Sequence, residues 1–126
     1  MYYDLLIRIK NAGRAKKKSL MAPFSKMDFE IAKTLADEGY IKSVEKKTFN
    51  KKHFLEVKLK YKNDATTFTD FKIISKPSRH MYKKAADLKP VKNSYGRAVL
   101  STPRGIMTNV KARKENVGGE YLFEVW

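Results

Sequence analysis

The fold of the first half of the chain is decided by residues 24–39, FSKMDFEIAKTLADEG, which predict an amphipathic helix with a well-marked start. Ser25 is a favourable N-cap, and Asp28 stands at the third helical position, where its carboxylate makes a short-armed capping box. Phe24 before the cap and Phe29 at the fourth helical position form the pair of a hydrophobic staple. Apolar residues then recur at helical spacing up to the glycine that closes the stretch, where the helix is expected to end.

On either side of this helix, local patterns predict a second helix and a β-hairpin. Strict alternation places Leu55, Val57 and Leu59 on one face of a strand. The further elements of this half are a helix over 2–12 ended by Gly13, an extended piece over 19–23, and strands over 40–48 and 54–61 joined by a polar turn at 50–52. We expect both helices to cover the Leu55-Val57-Leu59 side of the sheet, which would bury Leu35 together with Leu59.

The second half is predicted to be mostly β. Strands are expected over residues 71–75, 81–82, 98–101 and 120–126. Thr108 is the expected N-cap of a short helix that ends near Glu115, and Gly118-Gly119 then redirects the chain. Residues 63–69 are polar and rich in turn formers, which is typical of a linker. The predicted fold class is α+β, with an N-terminal α-β-α-β-β lobe (1–62) packed on a mostly β C-terminal lobe (70–126).

Composition excludes several classes of protein. The 126 residues are 42% hydrophobic, which is sufficient for a packed core, and they include no cysteine. A disulfide framework, a thiolate zinc site and a thiol nucleophile are therefore excluded. No apolar run approaches the roughly 20 residues of a membrane span, and the N-terminus does not resemble a signal peptide. We expect a soluble, cytoplasmic protein with no membrane partner.

The net charge of +15 indicates a polyanionic partner. Residues 1–62 hold 16 Lys and Arg against 7 Asp and Glu, and residues 63–126 hold 12 against 6, so both halves are basic. A well-solvated lysine-rich surface is the plain alternative. The basic half-chain at the N-terminus supplies one set of candidate RNA contacts, namely Arg8, Asn11, Arg14, Lys16, Lys17, Lys51 and Lys52.

The sequence contains few residues that could carry out catalysis. The two histidines, His53 and His80, lie in different halves, and neither a P-loop nor a dinucleotide-binding glycine pattern occurs. We predict no enzyme activity, no metal, no cofactor and no small-molecule substrate. Two alternatives stay open: a small ribonuclease that uses both histidines for acid–base cleavage, and a non-specific nucleic-acid chaperone.

Residues 101–108, STPRGIMT, are the most informative stretch for function. Two hydroxyl groups, a proline, an arginine and a glycine follow directly on an apolar strand, which predicts a tight loop that displays short donor and acceptor groups. Such groups can reach the shallow minor groove of RNA, where base edges and 2′-hydroxyls are exposed. A hydroxyl-rich turn that caps the following helix explains the same residues.

A series of blocks in fixed order carries a resemblance to a known family. The blocks are RIKNA at 8–12, PFSK at 23–26, EGYI at 38–41, ISKP at 74–77 followed by Arg79 and Tyr82, LKPVKNSYGRAVLST at 88–102, GIMT at 105–108, ARK at 112–114 and VGGE at 117–120. In this order they resemble the bacterial small-subunit ribosomal protein eight family, and the resemblance extends from residue 4 to 126.

The resemblance implies a primary rRNA-binding protein. It implies binding to an irregular helix in the central domain of the small-subunit rRNA, a part in assembly, ribosomal protein five as a neighbour and, in some members, repression of a ribosomal-protein messenger. The residues that it assigns to RNA are Ser101, Thr102, Pro103, Arg104, Gly105, Tyr82, Arg79, Lys76, Gly118, Gly119 and Glu120. Pro103 stands where the family usually has a serine, Ser78 replaces a glycine, and His80 replaces an arginine.

Overall fold

The structure, a computed structural model, describes residues 2–91 and 96–126 of the chain. Over these residues it has three α-helices, at Tyr2–Arg14 (α1), Lys26–Asp37 (α2) and Asn109–Lys114 (α3). The strands are Ser19–Pro23 (β1), Ile41–Phe49 (β2), Lys52–Leu59 (β3), Tyr61–Lys62 (β4), Ala65–Thr66 (β5), Phe71–Ile73 (β6), Tyr82–Lys83 (β7), Arg97–Thr102 (β8), Gly105–Thr108 (β9) and Gly119–Val125 (β10). This mixture confirms the predicted α+β class.

The chain forms two compact units, Met1–Thr69 and Asp70–Trp126. Residues 63–69 belong to the first unit, where β4 and β5 pair as a small antiparallel hairpin. The expected division into a lobe over 1–62, a linker over 63–69 and a lobe over 70–126 stays a prediction. No helix within the described ranges is long and apolar enough to cross a membrane.

The start of α2 is built as its sequence predicts. The Ser25 hydroxyl accepts a hydrogen bond of 3.0 Å from the backbone N–H of Asp28. The rings of Phe24 and Phe29 lie edge to face, with 6.0 Å between their centroids. Backbone hydrogen bonds from Gly39 to Ala36 and from Tyr40 to Leu35 close the other end. The cap and the staple are thus both confirmed.

The first unit places both helices against one antiparallel sheet with the order β1-β3-β2. Its core is formed by one side of each element: Leu5, Leu6 and Ile9 of α1, Ile31, Ala32 and Leu35 of α2, and Leu55, Val57 and Leu59 of β3. Leu35 and Leu59 are both buried, as expected from the apolar alternation of the strand. The opposite face of the sheet carries the alternate residues of β3.

The end of α1 differs from the prediction. The helix continues past Gly13 to Arg14, and the residue in the left-handed region is Lys16, with φ of 55°. Gly13 is buried, and a methyl group in its place would lie 3.0 Å from the Thr66 side chain. The C-cap prediction was wrong because a tertiary contact, rather than a turn, occupies this glycine.

The second unit is organised around β10. Its sheet has the order β6-β10-β8-β9. Strand β7 pairs with the first residues of β10, and β6 pairs with the last ones. The short helix α3 begins at Thr108, whose hydroxyl accepts from the backbone N–H of Lys111, so the predicted cap is confirmed. One core cluster is shared by a face of the sheet (Ala98, Leu100, Met107 and Tyr121), by Ala112 of α3, and by Leu88 and Val91 before β8.

The stretch after β8 is a hairpin rather than a loop. Sequence reasoning expected residues 101–108 to form a tight loop, whereas Thr102 pairs with Gly105 and the pairing continues to Val99 opposite Thr108. Strand β9 was missed because its four residues are too few to show an alternating pattern. Residues 92–95, which belong to one of the family-like blocks, lie outside the described residues.

Candidate nucleic-acid interface

The turn between β8 and β9 consists of Pro103 and Arg104, both exposed. The Thr102 hydroxyl fixes this turn, since it donates to the carbonyl of Gly105 at 2.8 Å and accepts from the backbone N–H of Arg104 at 3.2 Å. Gly105 has φ of 115°, a conformation that only glycine adopts without strain. Thr102 therefore uses its hydroxyl inside the turn and is itself buried.

Four residues on four neighbouring strands form one row across the sheet. Tyr82 pairs with Glu120, Glu120 with Ser101, and Ser101 with Ile106. Residues paired across strands point to the same face of a sheet. We call this set the cross-strand row. It lies on the face opposite α3, because the neighbouring residues Leu100 and Tyr121 point towards that helix.

The cross-strand row offers three kinds of polar or aromatic contact side by side. The Tyr82 ring is 72% exposed. The Ser101 hydroxyl is partly exposed and has no hydrogen-bond partner among the described residues. The Glu120 carboxylate, next to it, is an acceptor that keeps a fifth of its side-chain surface open. The two adjacent hydroxyl groups thus differ. That of Thr102 is hydrogen-bonded within the turn, whereas that of Ser101 has no partner among the described residues.

The row can form only because two glycines allow the strands to approach closely. A methyl group on Gly119 would lie 2.2 Å from the carbonyl oxygen of Ser101. One on Gly118 would lie 2.5 Å from the carbonyl oxygen of Lys83. Both distances are far inside van der Waals contact. Gly118 and Gly119 therefore set the spacing of β7, β10 and β8, while a side-chain contact with RNA is impossible for either.

A short loop brings His80 beside Glu120 of the row and carries further basic residues. The buried Ser75 hydroxyl accepts from the backbone N–H of Met81 at 2.9 Å and anchors the loop. Between them Lys76 and Arg79 exchange two backbone hydrogen bonds, and both are exposed. His80 Nδ1 lies 2.7 Å from Glu120 Oε2. Sequence reasoning missed this last pair, because the two residues are 40 positions apart.

Arg104 is tied to the end of α3 as well as to its own turn. Its Nη1 lies 3.4 Å from Oε1 of Glu115, while 62% of its side chain stays exposed. The other oxygen of that carboxylate is buried and has no hydrogen-bond partner among the described residues. The pair orients the guanidinium beside the turn, and the exposed part of it remains available to an anion.

The candidate RNA contacts predicted in the first unit lie in three places. Arg8, Asn11 and Lys17 line one groove between α1 and β1. In that groove Arg8 pairs with Asp4 at 2.8 Å and donates to the carbonyl of Met21. Arg14 and Lys16 are exposed at the end of α1, whereas Lys51 and Lys52 lie at the tip of the β2–β3 hairpin.

The two histidines have separate local partners. His53 Nδ1 lies 3.1 Å from the hydroxyl of Thr48, and its ring lies edge to face with Phe24. His80 is paired with Glu120 in the second unit. Within the described residues no cluster of three or more histidine or acidic side chains is grouped as a metal site would require.

Comparison with known proteins decides the family. A family model described as "Ribosomal protein S8" matches residues 2–126. The chain belongs to the ribosomal protein S8 family. It is 45% identical over 123 residues to "Small ribosomal subunit protein uS8" of Mycoplasmopsis agalactiae, which covers 98% of this chain and 94% of that protein. The protein of the same description from Ruminiclostridium cellulolyticum is 46% identical, with 98% and 94% covered. That of Staphylococcus aureus strain JH9 is 42% identical, again with 98% and 94% covered.

Membership of the S8 family confirms the resemblance that the sequence blocks carry. Members are structural proteins of the ribosome and not enzymes, so the ribonuclease alternative for His53 and His80 is excluded. The family also accounts for the net charge of +15, because a ribosomal protein works among rRNA phosphates. Its place of action is the ribosome, which in bacteria lies in the cytoplasm.

Proposed function

We propose that this S8-family protein is a small-subunit protein that binds an irregular helix of the small-subunit rRNA through its second unit and promotes assembly of the surrounding RNA domain. The observation that carries the proposal is the cross-strand row. It presents an aromatic ring, a hydroxyl group that no described residue bonds and a carboxylate on one face, and the Thr102-fixed turn lies at its edge.

The chemistry of the row favours a distorted RNA helix over a regular duplex. A regular A-form helix shows riboses and base edges in its wide minor groove but keeps the faces of its bases stacked, whereas an irregular helix also presents unstacked bases. The Ser101 hydroxyl can both donate to and accept from such groups, and Glu120 accepts from amino groups or 2′-hydroxyls. The Tyr82 ring has room for a base or a ribose. The exposed lysines and arginines around the row supply contacts to phosphate.

The test is binding of the full chain to an irregular rRNA helix and to a regular duplex of the same length. Tyr82→Ala should weaken binding to the irregular helix by about 1–3 kcal/mol and leave binding to the regular duplex unchanged. Ser43→Ala is the matched control for Ser101→Ala, because it removes a partly exposed hydroxyl from a strand of the first unit, away from the row in the second. Equal losses on both RNAs for Tyr82→Ala and Ser101→Ala would contradict the proposal.

Two finer features rest on the family resemblance alone and are proposed with it. Ribosomal protein five is the expected neighbour, which chemical cross-linking in assembled subunits would test. Messenger repression requires the protein to discriminate among RNAs by the same row. A reporter that carries the messenger site would respond to Ser101→Ala if this protein regulates that messenger.

A further inference from the structure

The β2–β3 hairpin of the first unit carries an aromatic side chain that its own unit does not cover. Phe49 is the last residue of β2 and is 69% exposed, close to the 72% of Tyr82 in the cross-strand row. The turn that follows consists of Asn50 and Lys51, with φ of 50° and 62°. An exposed phenylalanine at a hairpin tip contributes little to the core and is therefore available to a partner.

Strand pairing gives Phe49 a defined set of neighbours. It pairs with Lys52, and two positions further from the tip Lys47 pairs with Phe54. All four side chains point to the face of the sheet away from the helices, because the next position, Leu55, points into the core. We call these four residues the tip surface. Diagonal neighbours across two strands are close enough for aromatic and long side chains to form one continuous surface.

The tip surface is positively charged, and acidic residues lie on the side away from the tip. Among the described residues, no carboxylate pairs with Lys51 or Lys52. Lys47 is held by Glu45 at 2.9 Å, and this carboxylate lies opposite Glu56. The charge of Lys47 is balanced by Glu45, so the net positive charge of the hairpin lies at its tip. An anionic partner would therefore contact the tip and not the middle of the sheet.

We propose that the tip surface, together with Lys51 of the adjoining turn, binds single-stranded RNA, with an unpaired base stacked on Phe49 and backbone phosphates beside Lys51 and Lys52. Aromatic rings on an open sheet stack against bases, and lysines next to them follow the phosphates. Bases within a duplex are covered by their neighbours and cannot present a face to a ring on a flat sheet. Lysine is depleted in protein–protein interfaces, so a surface half composed of it favours a nucleic acid over a protein partner.

This site is separate from the cross-strand row in chain position, fold unit and RNA form. The row belongs to the second unit and selects an irregular helix, whereas the tip surface belongs to the first and needs an unpaired segment. An rRNA that contains both elements would be held by two contacts, each with its own dependence on RNA structure. Failure of one proposal leaves the other testable.

The experiment uses the full chain and an oligouridylate of about ten nucleotides with a single 2-aminopurine at its centre. Stacking on Phe49 changes the fluorescence of this base, and anisotropy gives the affinity. Phe49→Ala should weaken binding about ten-fold or more and remove the fluorescence change. Phe49→Tyr should keep both. Ile7→Ala, which removes another half-exposed apolar side chain from α1, is the matched control and should leave both unchanged.

Phe49→Leu separates stacking from plain apolar contact. Stacking on a ring predicts that leucine behaves like alanine. A leucine variant that binds as tightly as the unchanged chain would indicate an apolar surface for a protein and overturn the proposal. Unchanged binding by Phe49→Ala would overturn it as well. Annealing the oligonucleotide to its complement should abolish the fluorescence change, and binding of Phe49→Ala to the irregular helix should stay as it is in the unchanged chain.

Discussion

The β2–β3 and β8–β9 hairpins both end in two-residue turns, but the two turns are held by different means. The β2–β3 turn relies on the backbone, because Asn50 and Lys51 both adopt the left-handed region. The β8–β9 turn relies on a side chain, because the Thr102 hydroxyl bonds on both sides of the turn. The first hairpin keeps its charged tip free, whereas the second is locked beside β10. The difference predicts that the fixed second hairpin discriminates between an irregular and a regular helix, whereas the lysines of the first hairpin add affinity for both.

The largest expected effect comes from forcing the second hairpin away from β10. Gly119→Val places a side chain where the carbonyl oxygen of Ser101 lies 2.2 Å from the first carbon. We expect a loss of roughly 3 kcal/mol in the free energy of unfolding, measured by urea denaturation. Gly105→Ala is the control, because open space surrounds that position and only the φ of 115° costs stability, by about 1–2 kcal/mol. Equal losses in the two variants would refute the close-packing argument.

The next effect distinguishes the two neighbouring hydroxyl groups. Thr102→Val should lower the free energy of unfolding by about 1–2 kcal/mol, because the carbonyl of Gly105 and the N–H of Arg104 lose their partner. Ser101→Ala should change stability by less than about 0.5 kcal/mol and reduce the preference for the irregular helix by about 1–2 kcal/mol. Denaturation and RNA binding are measured on both variants. If Ser101→Ala destabilised the fold as much as Thr102→Val, the two hydroxyls would not have separate tasks.

A smaller effect is expected at the tip of the first hairpin. Lys52→Ala should weaken binding to every RNA by about 1 kcal/mol or less and lower the slope of log K against log salt by roughly 0.7–0.9. Binding is measured across a salt series with irregular and regular helices. Lys42→Ala, an exposed lysine at the far end of β2, is the control and should leave the slope unchanged. Unequal losses on the irregular and the regular helix would mean that Lys52 helps to distinguish these two helices, and would contradict the prediction.

The smallest effect appears only in alkaline solution. Burial, together with the hydrogen bond that its hydroxyl donates to Glu124 at 2.7 Å, raises the pKa of Tyr121. The unfolded phenol ionises near its ordinary pKa of 10.0, so the stability from the neutral phenol is complete below pH 10 and declines as pH rises above it. Unfolding measured on both sides of this pH should show a steeper alkaline loss in the unchanged chain than in Tyr121→Phe. Parallel curves would contradict the assignment.

The sequence by itself determined the local parts of this protein. The Ser25 cap, the Phe24–Phe29 staple and the strand with Leu55 and Val57 depend on contacts within a few residues, and all of them are present in the structure. Caps, staples and alternation are local, so a short window of sequence contains the whole physical cause. The family blocks likewise identified the S8 family, which the match over residues 2–126 shows.

Only the tertiary structure decided which of the candidate residues share one surface. It brought Tyr82, Glu120 and Ser101 into one row. It also placed the Thr102 hydroxyl where it bonds within the turn, and it paired His80 with Glu120. These relations depend on the register between strands that are distant in sequence. A shift of one residue would turn each side chain to the other face. Register is set by the close approach at Gly119 and by burial of the α3 side of the sheet, and no short window of sequence contains either.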